Sequence, residues 1–167
     1  FLQENPTDLV IVVGDVTSTM ACAITAKKMC VKVAHVEGGI RSGDITMPEE
    51  VNRIVSDSIT DYFFTTSTTA GENLLKEGKS PQQVFFVGNT MIDSLLSNLP
   101  KLRKPEIFDQ LSLNESPYMV LTLHRPANVD NPEKLFSILN QIDQSVNGYK
   151  AIFPIHPRTE KKLQQLN

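Results

Sequence analysis

A chain of 167 residues, 40% hydrophobic and 21% charged, is long enough to bury a sizeable core as one domain or as two smaller lobes. A formal charge of −3 and a pI near 5.6 give no electrostatic case for a nucleic-acid partner. No apolar run approaches the roughly 20 residues of a membrane-crossing helix, so a membrane is not expected as a partner either.

The opening residues FLQENPTD have neither the basic start nor the apolar stretch of a signal peptide. The closing residues KKLQQLN stop within a helical pattern, so both ends read as cuts inside a longer protein. DLVIVVGD, Asp8 to Asp15, is a short apolar run that predicts a strand buried on both faces, as in a parallel sheet. TSTMACAITAKKM follows as an Ala-rich helix with a Ser/Thr start suited to an N-cap. That helix would carry Cys22 and Cys30, too far apart to bond and too few for a zinc site. They are expected as buried thiols in a reducing, cytoplasmic setting.

VKVAHVEGG reads as a second buried strand. PEEVNRIVSDSITD reads as a helix opened by Pro48, with Glu49 and Glu50 at its positive end and Val51, Ile54, Val55 and Ile59 as its apolar face. YFFTT is a strand, STTAGENLLKEG a helix closed by Gly78, QVFFVGN a strand, and TMIDSLLSNL a helix. The proline-bearing stretch from Pro100 to Pro117 breaks this rhythm and suits a linker between lobes. Beyond it come a strand, YMVLTLH, a helix with Leu135, Ile138, Leu139, Ile142 and Val146 on one face, a strand, YKAIFPIH, and the start of a helix at PRTEKKLQQL. The alternation predicts an α/β fold with doubly wound parallel sheets. Residues 1–99 form the later part of one lobe, 100–117 the linker and 118–167 the first part of another.

Ligands of open parallel sheets bind at the carboxyl ends of the strands. The polar residues expected there are Asp15, His35 to Arg41, Asn89, His124 with Arg125, and His156 with Arg158. From His35 to Arg53, nineteen positions hold one histidine, two arginines, four acidic residues and three glycines. Gly38, Gly39 and Gly43 let the backbone turn sharply or approach a ligand, and Arg41 and Asp44 then ride a loop across the cleft mouth. Asp15, Glu37 and Glu49 would converge, and neighbouring carboxylates push one another's pKa apart, which suits proton removal and return at carbon. Simpler roles stand beside these. Asp15 could cap the next helix, Glu49 could pair with Arg53 at i+4, and the histidines could be surface residues.

The stretches VVGDVTSTMA, HVEGGIRSGDITMPEEVNRIVSDSITDYFFTTS, VGNTMIDSL, TLHRPANVDN and PIHPRT resemble the non-hydrolysing UDP-N-acetylglucosamine 2-epimerases, in that family's order and over most of the chain. The resemblance implies two Rossmann-like lobes of the glycosyltransferase B type, both incomplete here, with a UDP-sugar between them. It implies reversible conversion of UDP-GlcNAc to UDP-ManNAc by elimination of UDP and its re-addition, with no cofactor or metal, in a homodimer formed through the N-terminal lobe. Matched to the family's motifs, Asp15, Glu37 and Glu49 are its acid/base carboxylates and His124 its catalytic histidine near the leaving UDP. Arg125 is a phosphate contact, His156 a ligand-linked histidine, and Arg41 and Arg53 are secondary substrate-binding candidates. Gly38 stands where alanine is more usual, and Pro126 and Ala127 where charged residues are. Family segments before Phe1 and after Asn167 are absent, so the piece alone is expected to be inactive. A hydrolysing epimerase, a glycosyltransferase of the same fold and a non-catalytic UDP-sugar-binding lobe remain alternatives.

Overall fold

The computed structural model describes residues 1–164. They form two compact units that divide between Lys101 and Leu102. The first unit alternates β1 (Leu9–Val13), α1 (Thr17–Lys28), β2 (Lys32–Val36), α2 (Pro48–Ile59), β3 (Tyr62–Thr65), α3 (Thr68–Lys76), β4 (Val84–Phe86) and α4 (Thr90–Asn98). Its strands pair in the order β1-β2-β3-β4, all parallel, with Val12 opposite His35 and His35 opposite Phe63. All four strands therefore run the same way, and Asp15 and Glu37 leave at the same edge of the sheet.

The core of this unit gathers Val12, Ala23, Ala26 and Val33, with Leu2, Val10, Val31 and Ile59 packed against them. Ala23 and Ala26 sit on one face of α1, and their small side chains let the helix lie close to the strands. The helix is entered through Val16, which makes no side-chain cap, so neither the Ser/Thr cap expected from the sequence nor a cap by Asp15 forms. Ser67 caps α3 by accepting from the Ala70 N–H, and Gly78, at φ 85°, closes it as expected.

Three expectations are corrected. β1 is not buried on both faces: Leu9, Ile11 and Val13 are exposed, because the described residues place no layer over that side. Cys22 and Cys30 are both exposed, not buried. Cys22 lines an apolar hollow with Phe1, Leu2, Val10 and Met29, and Cys30 holds the left-handed position after α1 at φ 60°. α2 forms over the expected residues, with Val55 and Ile59 of its apolar face half-buried, but the face it buries most fully is the polar one. Its buried side chains are Glu50, Asn52, Arg53, Ser56 and Asp57, while Val51 and Ile54 face outward. The polar face turns inward because its partners, Asp15, His35 and the Gly39 and Ser42 backbone, lie at the strand ends beneath it.

The second unit holds α5 (Glu106–Gln110), β5 (Tyr118–Val120), α6 (Pro126–Val129), α7 (Pro132–Ser145), β6 (Lys150–Ile152) and α8 (Pro157–Leu163). β5 and β6 pair in parallel, with Met119 opposite Ala151. The expected apolar face of α7 forms: Leu135 and Val146 are buried and Ile138, Leu139 and Ile142 half-buried. The stretch read as a linker begins in a 3-10 turn, Leu99–Lys101, and contains the short α5. Residues 165–167, where the last helical pattern was expected to continue, lie outside the described residues. Among the described residues no helix is long and apolar enough to cross a membrane.

Candidate active site

The turn after β1 carries Gly14 and Asp15, and the turn after β2 carries Glu37, Gly38 and Gly39. The two turns are tied together by the Gly14 N–H donating to Val36 O at 3.0 Å, while the Glu37 N–H donates to Phe64 O at 2.9 Å. Glu37 takes φ 72°, a left-handed conformation uncommon outside glycine. Its carboxylate folds back over Gly14, where a side-chain carbon would meet Glu37 Oε2 at 3.5 Å. That distance is ordinary contact, and glycine suits position 14 because the turn takes φ 70° there, just before Asp15.

Asp15 is held from α2. Arg53 Nη1 donates to Asp15 Oδ2 at 2.5 Å, and Asn52 Nδ2 donates to the Asp15 carbonyl at 2.8 Å. The Asp15 side chain remains 37% exposed, so it is fixed without being closed off. Arg53 divides its fork between Asp15 and Glu50, donating from Nε and Nη2 to Glu50 Oε2 at 2.9 and 2.7 Å. The i+4 pairing of Glu49 with Arg53 does not form. One residue further along the same turn, Glu50 takes that place, and Glu49 is exposed.

Glu50 was not singled out as a site residue in the sequence, yet it is the anchor of the loop. Its carboxylate accepts the N–H groups of Ser42 and Gly43 at 3.0 and 2.9 Å in addition to Arg53. Burial alone would raise its pKa. The Ser42 N–H, the Arg53 guanidinium and the Gly43 N–H outweigh that and hold it at about 2. Glu50 is therefore an ionised strut that pins the start of the loop to α2.

Arg41 does not reach freely over the cleft mouth. It donates to Asp57 Oδ2 at 2.7 Å through Nη1 and grips Glu77 at 2.8 and 2.7 Å through Nε and Nη2. Asp57, fully buried, also accepts from the Gly39 N–H at 2.9 Å and lies 2.6 Å from His35 Nδ1. Sequence reasoning missed Glu50 and Asp57. The usable signal was the spacing of Glu50, Arg53 and Asp57, three and four residues apart, which places all three on one helical face.

In the second unit His124 and Arg125 follow β5 and are exposed, and His156 follows β6. The rings of His124 and His156 stand 6.2 Å apart between centroids. His156 Nδ1 accepts from the Arg158 N–H at 3.2 Å. Thr159, buried, donates to the Leu123 carbonyl at 2.7 Å and fixes α8 against the strand that delivers His124. Arg158 forks onto Asp130 at 2.8 and 2.6 Å and so is occupied within the protein. Asn89 caps α4 by accepting from the Met91 N–H at 2.9 Å. Among the described residues, no group of three or more His, Cys, Asp or Glu side chains could hold a metal ion.

Comparison with known proteins gives the family of the chain. A family model described as UDP-N-acetylglucosamine 2-epimerase matches residues 1–167. The UDP-N-acetylglucosamine 2-epimerase of Methanocaldococcus jannaschii is 44% identical over 99% of this chain and 46% of its own length. The UDP-2,3-diacetamido-2,3-dideoxy-D-glucuronate 2-epimerase of Pseudomonas aeruginosa is 36% identical over 99% of this chain and 46% of its own. A crystal structure of the M. jannaschii UDP-GlcNAc 2-epimerase, in complex with UDP-GlcNAc and UDP, superposes with a TM-score of 0.82 at 42% identity, covering 99% of this chain and 47% of that one. The chain thus spans about half the length of the relatives it matches. Its α/β units with parallel sheets share the glycosyltransferase-B-like fold of these structural neighbours, and the chain belongs to the UDP-N-acetylglucosamine 2-epimerase family.

Proposed function

We propose that the whole protein containing this chain interconverts UDP-GlcNAc and UDP-ManNAc without hydrolysis. The observation that carries this reading is the pair of carboxylates at the Gly14 turn: Glu37 folded over Gly14, and Asp15 beside it on a leash of Arg53 and Asn52. Inversion at C2 needs a base to take the C2 proton and an acid to return one to the opposite face. As the proton leaves C2, the C1–O bond to UDP breaks and a C1=C2 double bond forms. Re-addition of UDP at C1, with protonation at C2, completes the change and regenerates the protein groups. Asp15, Glu37 and Glu49 are proposed for the proton transfers. His124 and Arg125 are proposed at the departing diphosphate, where positive charge and N–H donors stabilise the charge that develops. His156 is proposed as a ligand contact, and Arg41 and Arg53 as groups that orient the loop and Asp15 for the substrate. The reaction as written needs no metal or nicotinamide, and a homodimer in a cytoplasmic setting is the proposed context. This piece by itself is proposed to be inactive.

The likeness to the P. aeruginosa glucuronate 2-epimerase favours a second reading, in which the same C2 chemistry acts on a UDP-diacetamido-uronate. Incubation of the whole protein in D2O with each UDP-sugar, followed by proton NMR, separates the readings. UDP-ManNAc bearing deuterium at C2 is the expected product. Exchange with the uronate alone would transfer the assignment to the second substrate. Free ManNAc with UDP would establish hydrolysis instead, because water would then have ended at C1. A retained C2 proton would sink the acid/base reading altogether.

One substitution separates the exposed Glu49 from the buried Glu50. Glu49→Gln, at an exposed position, is expected to leave the urea midpoint unchanged while slowing C2 exchange by about 10²-fold or more, the usual scale for a general acid or base. Unchanged exchange in that variant would remove Glu49 from the mechanism.

A further inference from the structure

One buried cluster takes no part in the proton transfers above. The His35 and Asp57 side chains are both 0% exposed. His35 Nδ1 lies 2.6 Å from Asp57 Oδ1, and Nε2 lies 2.8 Å from the Gly14 carbonyl oxygen. A carboxylate and a carbonyl only accept hydrogen bonds. A neutral imidazole has a single N–H, so one ring lone pair would face an oxygen lone pair in a dry site. An imidazolium satisfies both contacts. Burial opposes the charge, but the hydrogen bond and charge of Asp57, with the Gly14 carbonyl, outweigh it and raise the His35 pKa above its ordinary 6.5. Arg41, the other charged group facing the pair, acts in the opposite direction.

The cluster is also braced from outside. Asp57 Oδ2 accepts from the Gly39 N–H at 2.9 Å and from Arg41 at 2.7 Å, and Arg41 is in turn gripped by Glu77 at the end of α3. One imidazolium therefore links the exit of β1, the body of β2, helix α2 and the Gly39 turn. Gly14, whose carbonyl it holds, is the residue over which Glu37 folds and the one that precedes Asp15. The left-handed backbone of Glu37 persists only if its surroundings over-determine it, and this cluster supplies that constraint.

We propose that His35, kept as an imidazolium by Asp57, is a positioning residue that sets Glu37 and Asp15 through the Gly14 carbonyl. The proposal rests on the epimerase reading for what those two carboxylates do. His35, whose side chain is 0% exposed, acts on them through that carbonyl.

Two measurements on the whole protein test it. Long-range proton–nitrogen NMR of ¹⁵N-histidine-labelled protein at neutral pH is expected to show protons on both ring nitrogens of His35. A ring protonated on one nitrogen only would overturn the proposal, whatever the enzyme does. Asp57→Asn is then expected to lower kcat for C2 exchange by about 10-fold or more with KM little changed, since small misplacement of reacting groups costs rate. The ¹³C carboxyl resonances of Asp15 and Glu37 should move in the same variant. A folded Asp57→Asn protein with unchanged kcat would overturn the proposal. Should that variant not fold, Glu77→Gln, at the exposed end of the brace, carries the same test: a severalfold fall in kcat at constant KM supports it, and no change refutes it. If the unmodified protein exchanges no C2 proton, the epimerase reading fails. The carboxyl resonances then still decide whether His35 and Asp57 set Asp15 and Glu37, because unmoved resonances would end the proposal.

Discussion

Gly39→Ala is expected to cost about 3 kcal/mol or more in folding stability, combining left-handed strain with overpacking. Gly39 takes φ 84°, and an added carbon would stand 2.3 Å from the Ala70 carbonyl oxygen and 2.8 Å from Leu74 Cγ. The first of these is helix backbone, which cannot swing aside as a flexible side chain would. Leu74 is itself fully buried, so the second contact has no slack. Relief would require α3 to move off the turn, and that would break the 3.0 Å bond from Asn73 Nδ2 to the Gly39 carbonyl. Gly43→Ala is the matched comparison. Gly43 has φ 74° but nothing within 4 Å of the added carbon, so only the conformational cost of about 1–2 kcal/mol applies. Urea denaturation of both variants separates the two terms. Equal losses would mean that crowding at Gly39 is unimportant.

Glu50→Gln is expected to lose up to roughly 3 kcal/mol at neutral pH and almost nothing near pH 2. The folded pKa of about 2 lies below the ordinary 4.5, so the unfolded chain binds the proton more readily. The stabilisation is therefore fully present above about pH 4.5 and disappears as the pH falls through about 2. Glutamine keeps the shape but not the charge that accepts from Ser42, Gly43 and Arg53, and one of its two polar ends must face donors with a donor. Arg53 would also keep only Asp15 as a charged partner. The decisive measurement is the difference in stability between the two proteins from pH 7 down to pH 2. A difference that does not shrink with acid would mean that Glu50 acts by packing and not by charge.

The strand–helix alternation was legible because it rests on local signals. VIVV, KVAHV and YFFT are short apolar runs, and Ser67, Pro48 and Gly78 mark helix ends where the structure has them. The apolar stripe of α7 also predicted its buried face. α2 shows why the same logic failed one helix earlier. Its valines and isoleucines form a proper stripe, but burial is decided by which face finds partners. A face bearing Glu50, Arg53 and Asp57 goes inward when carboxylates, N–H groups and a buried histidine await it. Those partners lie 7 to 38 residues away, in loops and strands that a helical period does not describe. Asp15 and Glu37 were visible as polar residues in an expected cleft, and Arg53 through the motif that holds it. Glu50 and Asp57 were not, because each looks like an ordinary helix-surface acid until the loop folds over it. The exposed Cys22 failed for a similar reason, since an Ala-rich helix does not show in its sequence which side will be covered, and Cys30 failed because the helix ends before it.

The inward polar face of α2 has a thermal consequence. Exposing apolar surface raises heat capacity by about 0.45 cal/K/mol per Å², while exposing polar surface lowers it by about 0.26. The seam between α2 and the strand ends is made of Glu50, Asn52, Arg53, Ser56 and Asp57, so its opening adds little to the heat-capacity change of unfolding. The cluster around Val12, Ala23, Ala26 and Val33 adds the usual positive amount. Cooling weakens a core of that second kind and leaves the first nearly untouched. The turns that carry Asp15 and Glu37 are thus fastened to α2 by contacts whose strength does not fade in the cold.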